Sequence, residues 1–290
     1  MELKGKQKER RKAERKLKRK LKKAMLLFLG LLACLPLLAA CGSPEEEALC
    51  LRVGASITPH AEILRQAETA LAEQGITLEI VEFTDYVQPN LAVESGDLDA
   101  NYFQHRPYLE QFNQDNGTHL RAIAELHYEA MGIYKGRLSS LEELYDGASI
   151  ALPNDATNEA RALLLLAANG VIRMREGADL NATVLDIAEN PYNIEFIEME
   201  AAQIPLSLQD VDFGIINGNY ALQAGLNAAE DAVASEAPDS EGARSYANVL
   251  CVKEGNEENE AILALIRALS TEELRSYIQE NYGGLVVPLF

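Results

Sequence analysis

The chain has no tryptophan, only 6% aromatic residues, four cysteines and four histidines in 290 positions. Each scarcity excludes something. The histidines (His60, His105, His119 and His127) contain no pair at metal-ligand spacing, and no C-x-x-C is present. The motifs G-x-S-x-G, H-E-x-x-H, the phosphate-binding loop and G-x-G-x-x-G are missing too. "HAE" at His60–Glu62 matches half of a zinc-deaminase signature, but no P-C-x-x-C follows it. The expectation is a protein that is not an enzyme and holds neither cofactor nor metal. Basic residues are also scarce once the leader is set aside. Residues 1–40 hold 13 of the 26 Lys and Arg and 3 of the 45 Asp and Glu, which leaves 13 basic against 42 acidic side chains beyond them. Such a surface repels nucleic acid and does not steer anions inward, whereas a zwitterion is little affected.

What is present begins with a leader. Residues 1–23 are basic, and Ala24–Cys41 is an 18-residue, largely apolar run. The length is borderline for a membrane span, and an uncleaved helical anchor is the alternative. The ending, "LAAC" at Leu38–Cys41, resembles a lipobox, with small Ala39 and Ala40 before the cysteine. This reading makes residues 1–40 a lipoprotein signal peptide and Cys41 the lipidated (palmitate-bearing) mature N-terminus. Residues 41–49 become a polar flexible tether, and the folded part sits outside the cytoplasm, lipid-anchored to the cell membrane. Cys50 and Cys251 remain. Each lies in an apolar run, where two buried thiols are favoured over a disulfide.

From Leu49 onward, strand and helix patterns alternate. "LCLRVGAS", "ITLEIVEF" and "LDANYF" read as strands, with helical spacing in "TPHAEILRQAETALAEQG" and "YVQPNLAVESG" between them. The pattern restarts at "ASIALPND", and "YANVLCVKEG" with two final helices closes the chain. Strand–helix alternation predicts α/β units with largely parallel sheets, the second unit inserted into the first. Ligands of such sheets gather at strand ends and domain junctions.

The polar residues after the strands are therefore the candidates. "LDANYFQHRPYLEQF" packs Tyr102, Phe103, His105, Tyr108 and Phe112 into a chain otherwise poor in rings, as core or as the wall of a site. Arg161 lies early in a helix whose next seven positions are all Ala or Leu. Such a helix is buried, and its dipole opposes a cation near its start, so the guanidinium needs an anion. Either Glu159 or Asp155 serves internally, or a ligand carboxylate does. Asn217 and Asn219 flank Gly218 behind "DFGII", as turn residues or as ligand contacts, and Asn248 stands inside a strand pattern that disfavours it. Aromatics with a His, an Arg and several Asn together describe a site for an apolar α-amino acid. A thioether side chain suits such a wall.

Long stretches of the chain resemble a known family. "PHAEIL", "EFTDYVQPNLAVESGDLDANYFQHRPYLEQFN", "MGIYKGRLSSLEEL", "IALPNDATNEARALLLLAANG", "DIAENPYNIEFIEMEAAQIPLSLQDVD", "INGNYALQAGL", "SYANVL" and "VVPLF" are similar to the methionine-binding lipoproteins of ABC uptake systems (the MetQ/NlpA family). The resemblance runs from about Leu51 to Phe290. It implies a periplasmic-binding-protein-like fold of type II, with two α/β lobes and a double crossover hinge. Lobe 1 would be residues 50–134 plus 245–290, and the inserted lobe 2 residues 135–244. It implies capture of L-methionine, with D-methionine, a related amino acid or a methionine-containing peptide as alternatives, and delivery to an ABC permease and its ATPase. An adhesin or sensor on the same scaffold is the other class. Carried over residue by residue, Tyr86, Phe103, His105 and Tyr108 would form the side-chain pocket. Arg161 would clamp the carboxylate, and Asn217, Asn219 and Asn248 would complete the polar contacts. Tyr102 and Phe112 would be packing residues. The fold would also place another strand between those of Cys50 and Cys251, too far apart to bridge.

Overall fold

The computed structural model describes residues 49–237 and 245–290, with six helical residues of the leader (15, 16, 18–20 and 22). The signal peptide, Cys41 and the tether to residue 48 lie outside the described residues. No helix among the described residues is long and apolar enough to cross a membrane. The described residues from 49 onward form one compact unit.

Among the described residues, two mixed sheets and a small antiparallel pair carry thirteen strands. In chain order they are β1 (Leu49–Ser56), β2 (Ile76–Phe83), β3 (Ala100–His105), β4 (Leu120–Glu129), β5 (Gly132–Lys135), β6 (Ser149–Pro153), β7 (Arg173–Met174), β8 (Ile187–Glu189), β9 (Glu195–Met199), β10 (Phe213–Ile216), β11 (Ala232–Ser235), β12 (Asn248–Lys253) and β13 (Val286–Pro288). The first sheet has the order β13-β4-β12-β3-β1-β2 and the second β11-β5-β10-β6-β9, with β7 and β8 pairing separately. The chain therefore passes from the first sheet to the second after β4 and returns before β12. The helices are α1 (Glu62–Arg65), α2 (Glu68–Ala72), α3 (Gln88–Ser95), α4 (Arg106–Asn116), α5 (Ala156–Ala168), α6 (Gly218–Gln223), α7 (Glu260–Ala268) and α8 (Glu272–Tyr282).

Period-2 patterning builds layers on both faces of each sheet. In β12, Leu250 and Val252 pack with Ile262, Leu265 and Ile278 of the terminal helices, while Val249 and Cys251 face Val93, Leu98 and Leu109. In β10, Phe213 and Ile215 join Leu163 and Leu166 of α5, while Ile216 faces Ile204 and Tyr220. Each such fully buried aliphatic side chain contributes about 1.5–3 kcal/mol over leaving it in water.

Several expectations need correction. The strand pairs β1–β2 and β1–β3 are parallel, but β12 runs antiparallel to both β3 and β4, and β5 runs antiparallel to β10. The sheets are mixed because the strands flanking each crossover arrive from the opposite direction. Strand β5 pairs with β10 and β11, so Gly132–Lys135 belongs to the second sheet, not to the first as residues 50–134 implied. The sequence pattern also passed over β4, whose final four residues are buried on both faces and include His127 and Glu129. β3 does lie between β1 and β12, and both thiols are free. Only Cys251 is buried, however, because Cys50 sits exposed at the open start of β1.

Candidate functional site

The pairing of β12 with its neighbours sets the site. Asn248 stands opposite His105 at the end of β3 and opposite His127 near the end of β4. The ends of two strands and the start of a third thus meet at one edge of the first sheet. Facing them are the start of α5 and the residues after β10. Between lies a small, nearly filled cavity, lined by Tyr86, Phe103, Gln104, His105, Tyr108, Glu129, Asn158, Arg161, Asn217, Gly218, Asn219 and Asn248.

One wall is aromatic. The Tyr86 ring lies 5.7 Å from Phe103, 5.7 Å from Tyr108 and 4.9 Å from Tyr220, centroid to centroid. His105 ends β3 and caps α4, its Nδ1 accepting from Tyr108 N–H at 3.1 Å. The proton must then sit on Nε2, which donates to Asn158 Oδ1 at 3.1 Å across the cavity. Burial first, and then Arg161, lowers the His105 pKa to about 3, so the ring is neutral.

The polar end is organised by α5. Asp155 caps it by accepting from Asn158 N–H. Both Asp155 oxygens also accept from Asn158 Nδ2 at 3.0 Å. A carboxylate at its cap cannot donate, so the amide orientation of Asn158 is fixed with Oδ1 toward His105 and Asn217. Asn217 donates from Nδ2 to that oxygen at 2.7 Å. Its own Oδ1 is consequently left buried without a partner among the described residues, as is Nδ2 of Asn219, whose Oδ1 accepts from the Tyr86 hydroxyl at 2.6 Å. Asn217 heads α6, yet its side chain makes no capping bond. Turn chemistry therefore does not account for it.

Arg161 lies one turn beyond Asn158 on the same helix face and is 4% exposed, which makes its charge costly without a partner. Neither anticipated internal anion serves it: Asp155 caps the helix, and Glu159 accepts from Val184 N–H. The partner is Glu236, just past β11, which takes Nε at 2.8 Å and Nη2 at 2.5 Å. Nη2 also donates to the Glu129 carbonyl at 2.8 Å, and the guanidinium stacks 4.2 Å from the Tyr246 ring centroid. Burial opposes the Arg161 charge, but Glu236 outweighs it and holds the pKa above the ordinary value. Among the described residues, nothing accepts from Nη1.

Behind this end lies a buried histidine–carboxylate network that sequence spacing did not reveal. Asn248 Oδ1 can only accept, so His60 Nε2 carries a proton toward it at 2.9 Å, and Ser56 Oγ meets His60 Nδ1 at 2.6 Å. His127 Nδ1 bonds the Tyr102 hydroxyl, and its Nε2 reaches Glu129 Oε1 at 2.6 Å; His60 Nε2 lies 3.3 Å from the same oxygen. Burial lowers the pKa of His60 to about 4 and of His127 to about 3, while it raises that of Glu129. The three donor atoms of His60, His127 and Glu129 lie within 4.8 Å of one another, as metal ligands would. Every ring nitrogen is nevertheless engaged in a hydrogen bond, so we read the cluster as a proton-ordered network.

All eight candidate residues (Tyr86, Phe103, His105, Tyr108, Arg161, Asn217, Asn219 and Asn248) line one cavity. Tyr102 is in the core beneath it, and Phe112 packs behind Phe103 and Tyr108. Sequence reasoning missed Gln104, Glu129, Asn158 and Gly218. Asn158 carried a signal, being a polar residue three positions before Arg161 on a buried helix.

The NlpA lipoprotein family model matches residues 51–290. A probable D-methionine-binding lipoprotein MetQ from Pasteurella multocida is 38% identical over 251 residues, 86% of this chain and 90% of that one. Among solved structures, a putative lipoprotein from Ruminococcus gnavus is 54% identical with a TM-score of 0.82, over 84% of this chain and all of that one. A nutrient binding protein from Burkholderia cenocepacia bound to methionine is 40% identical with a TM-score of 0.78, over 83% of this chain and all of that one. With its two mixed sheets, two crossings and a polar-and-aromatic cavity between them, the chain belongs to the NlpA lipoprotein family.

Proposed function

We propose that the protein captures methionine between two lobes, one built around each sheet, and hands it to an ABC permease driven by its ATPase. The observation that carries this is the cavity's division of labour. One end is a wall of Tyr86, Phe103, His105 and Tyr108; the other presents an unpartnered Asn217 Oδ1, an unpartnered Asn219 Nδ2 and the Nη1 group of Arg161. A buried polar atom without a partner costs about 1–3 kcal/mol, and a zwitterion supplies both kinds of partner at once. The carboxylate fits Arg161, Asn219 and the Nδ2 of Asn248, whose Oδ1 is held by His60. The thioether fits the rings. Similarity to a methionine-bound protein and to a D-methionine-binding lipoprotein supports the ligand class.

Cleft closure is the proposed working motion, with its hinge at the two crossings. Contacts that join the sides include His105 to Asn158, Tyr86 to Asn219, and Tyr220 to the Thr84 carbonyl at 3.2 Å. Cleavage before Cys41 and acylation of that residue would hold the protein on the outer face of a membrane, within reach of the permease. The test is a melting panel on ligand-stripped protein with L-methionine, D-methionine, glycyl-methionine and other amino acids. Ligand at about 100 times its dissociation constant adds ~2.7 kcal/mol, or roughly 5–10 °C for a body of this size. A larger shift with a different amino acid refutes the methionine assignment.

A further inference from the structure

We propose that Tyr108 is the length filter of the cavity: its ring closes the thioether end off from a neighbouring groove and so rejects S-alkyl side chains longer than methyl. The proposal rests on the methionine reading of the cavity. The groove runs between α4 and the start of α5. Val87, Gln111, Phe112 and Asp115 line one side of it, Asp155 and Ala156 the other. Val87, Asp115 and Ala156 are exposed, so the groove opens to solvent. Tyr108 is the residue that lines both this groove and the ligand cavity.

The ring is tied in place as a partition. The Tyr108 hydroxyl donates to the Tyr86 carbonyl at 3.1 Å, and its backbone N–H donates to His105 Nδ1, so both ends of the residue are held. Phe112, one turn further along α4, backs the ring from the groove side at 6.1 Å between centroids. The other rings of the wall have different surroundings. Tyr86 is backed by Tyr220 at 4.9 Å and His105 by Tyr246 at 5.1 Å, while Phe103 is buried within β3. Shortening one of those opens onto packed side chains; shortening Tyr108 opens onto the groove. Because the cavity is nearly filled, a longer side chain must force the packing around it unless that ring is removed. The groove is lined by Asp115 and Asp155 and by no Lys or Arg, so it suits a neutral alkyl arm and disfavours an anionic one.

The experiment measures methionine, ethionine and S-butylhomocysteine by calorimetry on ligand-stripped wild type, Tyr108→Ala and Tyr108→Leu. Wild type should bind methionine about 10- to 200-fold more tightly than ethionine, which adds one methylene, and S-butylhomocysteine more weakly still. In Tyr108→Ala the way into the groove is open. Methionine should weaken through lost ring contact while S-butylhomocysteine strengthens, so the ratio of their affinities should fall by about 10-fold or more. Tyr108→Leu keeps an apolar side chain against Phe112, should show the same shift in smaller measure, and is the measure where the alanine chain does not fold. If Tyr108 only braces the wall, all three ligands weaken alike and their ratios stay as in wild type, which overturns the proposal. Wild type that binds the longer ligands as tightly as methionine overturns it as well while sparing the methionine reading. Failure of wild type to bind methionine at all overturns both.

Discussion

Removing Arg161 should do two separable kinds of damage. The first is to the empty protein. Arg161→Ala leaves Glu236, 15% exposed, without its cation. Breaking a buried pair from one side costs about 3–5 kcal/mol. Glu236 keeps two donors, Met131 N–H at 2.9 Å and the Tyr128 hydroxyl at 2.7 Å, which places the loss near the lower end. With a urea slope of about 2–3 kcal/mol per molar, the midpoint should fall by ~1–1.5 M. The second damage is to binding. If Nη1 holds the ligand carboxylate, truncation should cost ~2–5 kcal/mol of affinity, about 30- to 5000-fold. Glu236→Gln separates the two, because it breaks the ion pair but leaves the guanidinium. That variant should melt earlier than wild type yet bind methionine at least as well, since an anion competing for Arg161 has gone. Arg161→Lys should recover little, because an ammonium cannot hold Glu236 on two nitrogens and present a third. Urea melts and calorimetry on ligand-stripped chains read both quantities. Near-wild-type affinity in a folded Arg161→Ala chain would show that the cation serves Glu236 alone and refute the clamp.

Acid should destabilise the protein through its buried histidines. The folded-state pKa values of His60, His105 and His127 lie at about 4, about 3 and about 3, below the ordinary value of 6.5, so the unfolded chain takes up protons first as pH falls. Stability present above 6.5 is then lost by about 1.4 kcal/mol per pH unit for each histidine down toward its folded value. Glu129, whose pKa is raised, contributes with the opposite sign. Urea midpoints at pH 7.5, 6 and 5 should drop steeply below 6.5, and a flat profile would contradict neutral burial. Gly218→Ala should cost roughly 1–3 kcal/mol in a thermal melt, because its Cβ would lie 2.6 Å from that of Glu129; a wild-type melt would mean that the strand end yields. Asn158→Ala should weaken methionine binding while sparing the fold at the surface, since it frees His105 Nε2 and Asn217 Nδ2 together; unchanged calorimetry would remove the bridge from the site. A thiol reagent should modify Cys50 in the native protein and Cys251 only after unfolding; rapid native labelling of Cys251 would contradict its burial.

Local chemistry alone determined a good deal. Apolar runs of strand length and helices with clear stops specify the alternation of elements, because side-chain period and backbone geometry are coupled residue by residue. The density of rings around Phe103 and the misplaced charge at Arg161 marked the cavity, because both are costly anywhere except beside a partner. What the tertiary structure decided was which partner. Glu236 lies 75 positions from Arg161, and nothing in either neighbourhood singles it out. The antiparallel return of β12 places Asn248 against His105 and His127, and a strand pattern does not encode its neighbour. His60 and His127 are 67 positions apart, so no spacing rule joins them, yet their rings lie 4.9 Å apart beside Glu129. Glutamate and histidine at the end of β4 read as surface residues until the sheet, the helices and the opposite side of the cavity bury them together. Burial is a property of the whole packed chain, and it turns these ordinary polar side chains into a site.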